Sequence, residues 1–185
     1  MTIAPTLPLV TVDEYLGSSW HPDREYVDGV LVERTVPTYF HALLQIIIGS
    51  YFRRFERQYR FKVLPELRTQ IIEGARYRIP DILLCATPIP PKRVLTVTPM
   101  VVVEVLSPDD RTAETLQRFR DYSNIGVLHI IQMDPEACVS HRFSSGSLIE
   151  TQFTNLHLPN LPDPLPFDSE AIFAQLRQEL ADASA

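Results

Sequence analysis

The chain has 185 residues, 45% apolar and 22% charged, which is enough for one well-packed core and demands no second. No stretch approaches the roughly 18 to 20 uninterrupted apolar residues of a membrane span, and Met1-Thr2-Ile3-Ala4-Pro5 lacks the basic and apolar regions of a signal peptide, so a cytoplasmic protein without membrane contact is expected. A formal net charge of −6 excludes a general nucleic-acid coat, because sequence-independent affinity comes from neutralising phosphates with Lys and Arg; any such contact must be local.

In chain order, Thr11-Val12-Asp13-Glu14 is a capping box that opens a short helix. Residues 24–27 and 30–35 flank Asp28-Gly29, a two-residue hairpin signal. Phe40, Leu43, Leu44, Ile47, Ile48, Tyr51, Phe52 and Phe55 recur at three- and four-residue spacing, which predicts a helix over 38–57 with one apolar stripe packed on a sheet. The run Arg53, Arg54, Arg57, Arg60 and Lys62 reads either as the solvated end of that helix or as a nucleic-acid footprint.

Residues 61–72 read as a long strand interrupted near Pro65, and 77–85 as a second strand after the Glu73-Gly74 turn. A Pro-rich surface loop over 87–93 leads into a strand at 99–106. Ser107-Pro108-Asp109-Asp110 is expected to cap a helix running to 123 that buries Leu116 and Phe119. Strands at 128–133, 137–143 and 148–154 form a meander, broken at Asp134-Pro135 and Ser144-Ser145-Gly146. Pro-punctuated coil over 156–167 and an amphipathic helix over 168–180 follow. This order is that of an α/β domain, a mixed sheet flanked by helices, in one unit over 1–185 with its core at about 10–155 and a coil and helix over 156–185. Cys85 and Cys138 both fall in predicted strands and read as small hydrophobes.

Asp81 and Glu104 stand out because each is a lone carboxylate in a strongly apolar run, Ile79-Pro80-Asp81-Ile82-Leu83-Leu84-Cys85 and Met100-Val101-Val102-Val103-Glu104-Val105-Leu106. A buried acid without a partner costs several kcal/mol or takes up a proton, so two on neighbouring strands call for something cationic between them. A divalent metal held by hard oxygens, Mg²⁺ or Mn²⁺, meets that need. Taken singly, each acid also has a structural reading: Asp81 as a strand-start residue, Glu104 as the partner of Arg76 or Arg78 across the sheet. Glu25, beside Arg24, reads as a cross-strand surface partner. His41 adjoins the apolar stripe, Tyr122 packs a helix with its hydroxyl directed outward, and Arg118 makes an i,i+4 surface pair with Glu114.

The order and spacing of Arg78-Ile79-Pro80-Asp81-Ile82, Val102-Val103-Glu104-Val105-Leu106-Ser107-Pro108, and a helix ending in Tyr122 resemble the Uma-type restriction endonuclease family of bacteria, within the PD-(D/E)XK nuclease superfamily. The resemblance extends from about Val10 to the C-terminal helix and includes Glu25 and His41. It implies a restriction-endonuclease-like fold and a Mg²⁺- or Mn²⁺-dependent endonuclease, with nucleic acid, most simply DNA, as substrate. Asp81 and Glu104 are then metal ligands, Glu66 a further oxygen donor or water-positioning group, and Glu25 an auxiliary acid. Arg118 occupies the helix position where Uma-type sequences carry a lysine, the superfamily's usual lysine place being Leu106 here. His41, Arg78 and Tyr122 are further candidates for substrate contact. The chain's only lysines are Lys62 and Lys92, and an arginine keeps its proton and offers a planar fork in place of a compact ammonium. The alternative is a nuclease fold that has lost turnover and binds nucleic acid or a partner protein. A homodimer formed through the strands after Leu128 is compatible with either.

Overall fold

The computed structural model describes residues 9–159, 161 and 163–183; the N-terminal segment read above for a signal peptide lies outside them. The elements are α1 (Val12–Gly17), β1 (Arg24–Val27), β2 (Val30–Glu33), α2 (Tyr39–Arg53), α3 (Glu56–Tyr59), β3 (Phe61–Pro65), β4 (Thr69–Ile72), β5 (Arg76–Arg78), β6 (Ile82–Ala86), β7 (Val101–Val105), α4 (Thr112–Asn124), β8 (His129–Asp134), β9 (Val139–Ser144), β10 (Ser147–Glu150), β11 (Asn155–Leu156), β12 (Leu165–Pro166) and α5 (Ser169–Ala183). Local signals act where expected. The Thr11 hydroxyl accepts from the Glu14 amide at 3.2 Å. Asp28 and Gly29 both take positive φ, 50° and 91°, the conformation a two-residue hairpin loop demands.

Two strands that read as continuous are each divided between two sheets. One sheet has the order β2-β1-β5-β4; the larger has the order β10-β9-β8-β7-β6-β3 and is antiparallel except for β7 and β8, which α4 joins by a crossover. The chain leaves the larger sheet after Pro65, where Glu66 adopts φ +49°, and returns to it through Ile79-Pro80-Asp81. Asp81 thus precedes β6 and does not lie inside a strand. Pro80 has no N–H to give a ladder, which makes it a natural place to pass between sheets. The two passages touch, with the Glu66 amide donating to the Asp81 carbonyl at 3.3 Å.

Other boundaries also shift. The helix expected over 38–57 starts as predicted, with the Thr38 hydroxyl accepting from the His41 amide, but stops at Arg53, where the chain turns through Phe55 into α3. The helix after Pro108 begins at Thr112 without a side-chain cap; the Asp110 carboxylate instead accepts from the Ser107 amide at 2.9 Å. Cys138 lies in the turn before β9 at φ +53°, whereas Cys85 is buried in β6, where burial pushes its thiol up to about 12. β11 and β12 pair inside the stretch read as coil. β8 lies between β7 and β9 with Ile130 and Ile131 buried, so it presents no edge to a second copy; β10 is the open edge on that side.

Both faces of the large sheet are covered, which is why β6 and β7 read as nearly unbroken apolar runs. On one face Ile82, Leu84, Val101, Val103, Val105, Ile131 and Met133 pack with Leu44, Ile47, Ile48 and Phe52 of α2 and with Ile172, Phe173 and Leu176 of α5. On the other, Leu83, Cys85, Val102 and Ile130 pack with Phe119 and Tyr122 of α4. Each such aliphatic or aromatic burial contributes on the order of 1.5–3 kcal/mol. Tyr15, Tyr26 and Tyr77 form a separate cluster, with ring centroids 5.0 to 6.2 Å apart, that seats α1 on the small sheet and holds β1 in place.

Candidate active site

The pairing of β6 with β7 places the two acids. Ile82 faces Val103, Leu83 faces Val102 and Leu84 faces Val101. One further step brings Asp81 level with Glu104; alternation along β7 turns Glu104 to the α4 side, where Tyr122 meets it, while Asp81, just before β6, reaches His41 at the start of α2. They are 2% and 4% exposed. Both line a cavity of about 20 Å³ together with Arg34, Thr35, His41, Val105, Ser107, Asp110 and Arg118. That is room for roughly one water.

Asp81 is held at both oxygens. Oδ1 accepts from Arg34 Nη2 at 2.6 Å, while Oδ2 accepts from the Val105 amide at 2.8 Å and lies 3.2 Å from His41 Nε2. Burial alone would raise its pKa; the His41 hydrogen bond, the Arg34 charge and the Val105 amide outweigh this and hold the carboxyl below its ordinary value. Glu104 is the opposite case. Burial and the neighbouring Asp81 charge push it up to about 8 against Arg118 and the Tyr122 hydroxyl. The two acids therefore behave as a pair short of positive charge, with Glu104 the member driven toward its protonated form.

The Tyr122 hydroxyl donates inward to Glu104 Oε1 at 2.5 Å instead of pointing outward. Arg118 faces the site and not Glu114, which pairs with Arg111 at 3.6 Å. The guanidinium stands 3.6 Å from Glu104 Oε2 and 3.8 Å from Glu25 Oε1, and its Nε is buried with no hydrogen-bond partner. Those acids raise its pKa despite burial, so it is a fixed cation.

Behind Arg118 lies a network that anchors Glu25. Its Oε2 accepts from Arg78 Nη1 at 2.7 Å and its Oε1 from the Ile79 amide at 3.0 Å, at 1% exposure, so Glu25 is no surface partner; Arg24 bridges to Glu33 instead. Arg78 turns its Nε and Nη2 onto Asp121 Oδ2 at 2.8 and 2.6 Å, and Arg76 donates to Asp121 Oδ1 and to Asp28. Arg76 and Arg78 thus serve Glu25, Asp28 and Asp121, not Glu104, and Arg78 is buried away from solvent.

Of the sequence-predicted residues, Asp81, Glu104, Arg118 and His41 share the cavity, Tyr122 touches it through Glu104, and Glu25 and Arg78 form the layer behind. Glu66 stands at the mouth, its side chain 48% exposed, with Oε1 3.4 Å from Gln45 Nε2 and 3.6 Å from Arg34 Nη1. Lys62 pairs with Glu56, and Arg53, Arg54, Arg57 and Arg60 are exposed at the far end of α2 and beyond. Among the described residues no three His, Cys, Asp or Glu side chains converge as a metal cage. Sequence reasoning missed Arg34 and Asp121. Arg76 and Arg78, two residues apart in one strand, were a signal that acids must meet one face; nothing local marked Arg34.

No described helix is long and apolar enough to cross a membrane. No curated protein matches the chain. Among solved structures, a protein described as a "putative nuclease belonging to DUF820 from Anabaena variabilis ATCC 29413" matches with a TM-score of 0.74 at 19% identity, over 90% of this chain and 99% of the other. At that identity the likeness establishes the fold: a mixed sheet flanked by helices, shared with that protein. The Uma2 family model, described as "Putative restriction endonuclease", matches residues 14–175, which takes in every residue of the site, and the chain accordingly belongs to the Uma2 family.

Proposed function

We propose that this protein is a divalent-metal-dependent endonuclease that hydrolyses phosphodiester bonds of nucleic acid, DNA in the first instance. The observation that carries the reading is the facing pair Asp81 and Glu104 in one buried cavity with Arg118, whose Nε has no hydrogen-bond partner. The donor set suits Mg²⁺ or Mn²⁺: hard carboxylate oxygens, and an elevated Glu104 whose burial beside Asp81 marks a deficit of positive charge. Asp81 and Glu104 would hold the ion, with Glu66 a supporting acid at the mouth. When bound, such an ion polarises a phosphate oxygen and lowers the pKa of water.

The chain's own groups supply the rest. Tyr122 and the Val105 amide fix the two carboxylates, so neither has to reorganise as charge develops. Glu25, itself locked by Arg78 and the Ile79 amide, and Glu104 keep Arg118 charged and aimed at the cavity. Arg118, with Nε turned to Glu25 and Nη1 to Glu104, offers the charge of its guanidinium to the extra negative charge of the phosphorane-like transition state, the part that the family resemblance assigns to a lysine. His41 orients Asp81 and can contact substrate from the N-terminal end of α2. A single domain, a cytoplasmic location and a dimer through the open β10 edge, where Ile149 is 53% exposed, accompany this reading.

The test is plasmid nicking by purified protein with Mg²⁺ or Mn²⁺ and with chelator, alongside Asp81→Ala and Glu104→Ala. Metal-dependent nicking lost in both variants supports it; nicking that survives in either overturns it. One observation favours a second reading, a nuclease fold that binds without turning over: the Arg34 guanidinium already occupies Asp81 at 2.6 Å. DNA or protein capture by a chain inert under every metal would establish that one.

A further inference from the structure

Asp81 has only one oxygen to give. Oδ2 already takes the Val105 amide and the His41 ring nitrogen, both from elements packed into the core. Oδ1 faces a single donor, Arg34 Nη2, at 2.6 Å. An ion bound to Oδ1 at the roughly 2.1 Å of a Mg²⁺–oxygen bond would meet the guanidinium, 2.6 Å from the same atom, as a like charge at close range, so the two cations compete for that oxygen.

Arg34 is placed to leave. It lies just past the end of β2, in the connector to α2, and its side chain is 18% exposed, whereas Asp81 is buried. A second acid is waiting: Arg34 Nη1 is 3.6 Å from Glu66 Oε1 at the mouth, where Glu66 is half exposed and tethered by Gln45. Nothing comparable holds for the other guanidiniums of the site. Arg78 is clamped by two acids, and Arg118 stands 3.6 and 3.8 Å from its partners.

We infer that Arg34 is the resident counter-cation of Asp81, which a divalent ion must displace to reach Oδ1, and that the displaced guanidinium passes to Glu66. This rests on the metal-site reading above. Arg34 makes metal loading a competition between two cations for one oxygen, and Glu66 lowers the cost of losing that competition. Arg34 stays on Asp81 until ion concentration is high enough to displace it.

The experiment is isothermal titration of Mn²⁺ into wild type, Arg34→Met, Glu66→Gln, the double variant and Asp81→Asn, with circular dichroism to verify folding. Removing a charge-assisted hydrogen bond that the ion must break should tighten Mn²⁺ binding in Arg34→Met by about tenfold. Glu66→Gln should weaken it several-fold where Arg34 is present and leave it unchanged in the Arg34→Met background, the coupling a double-mutant cycle detects. Asp81→Asn should abolish it. Equal or weaker Mn²⁺ affinity in Arg34→Met, or no binding in either protein, overturns the inference; an equal loss from Glu66→Gln in both backgrounds makes Glu66 a ligand and overturns the transfer. Arg34→Lys, with one compact donor in place of the fork, is expected between wild type and Arg34→Met and decides the matter should Arg34→Met not fold. Plasmid nicking separates the two readings: Mn²⁺ that loads in this pattern without cutting sinks the nuclease reading alone, and cutting with Mn²⁺ affinity indifferent to Arg34 sinks this one alone.

Discussion

Asp81 and Glu104 face each other one step beyond the last paired residues of β6 and β7, both buried, yet their proton affinities are driven in opposite directions. The difference lies in their donors. Asp81 has a guanidinium, an amide and an imidazole on its oxygens, whereas Glu104 has a single hydroxyl and a cation held at 3.6 Å.

The pair makes metal-free stability depend on pH. Glu104 rises from 4.5 to about 8 on folding, so the folded state binds a proton that the unfolded chain has lost between those values. Its contribution is full below about 4.5 and disappears as pH passes about 8. Asp81, lowered from 3.8, acts the other way, stabilising above that value and losing its contribution as pH falls through the lower folded value. Melting temperatures in chelator should therefore decline for wild type relative to Glu104→Gln from pH 5 to pH 8. Parallel curves would mean that Glu104 is ionised throughout.

A bound ion should reverse that penalty. Millimolar Mn²⁺ at pH 7.5 is expected to raise the melting temperature of wild type, by mass action on the folded state. Asp81→Ala should show no rise, and the same rise in that variant would place the ion elsewhere.

Arg78 ties Glu25 to Asp121 with all three at 5% exposure or less. Arg78→Ala leaves two buried acids without their main cation and should cost about 3–5 kcal/mol in urea unfolding. Lys62→Ala, which breaks the pair with Glu56 from a side chain 54% exposed, should cost under about 1 kcal/mol. Similar losses from the two would remove the network as the support of the site.

Under the proposed nuclease reading, Arg118 sets the rate of cutting. Arg118→Ala should reduce metal-dependent nicking by about 10²–10³-fold, the usual effect of losing one donor to the transition state. Arg118→Lys should exceed wild type, since it supplies the compact ammonium that the family resemblance leads one to expect at this position. If Arg118→Ala cuts as fast as wild type, the guanidinium serves only to neutralise Glu25 and Glu104.

Much of this was legible from residues alone, because the signals are local. Asp28-Gly29 carries a positive-φ requirement within two residues, Thr11 meets the Glu14 amide within one turn, and the α2 stripe repeats on a single helix face. Lone acids in the β6 and β7 runs are conspicuous for the same reason: each apolar run is continuous only where both sheet faces are covered.

What the tertiary structure alone decided is which charge meets which. The same local pattern suits one long strand or two short ones, and only packing sends 61–65 and 69–72, or 76–78 and 82–86, into different sheets. That division sets Glu66 against Asp81, brings Arg34 to Asp81 across 47 residues of chain, and makes Asp121 the buried partner of Arg76 and Arg78. Propensity and periodicity act over a few residues, whereas a buried charge is satisfied by whatever register and chain crossing bring within about 3 Å of it.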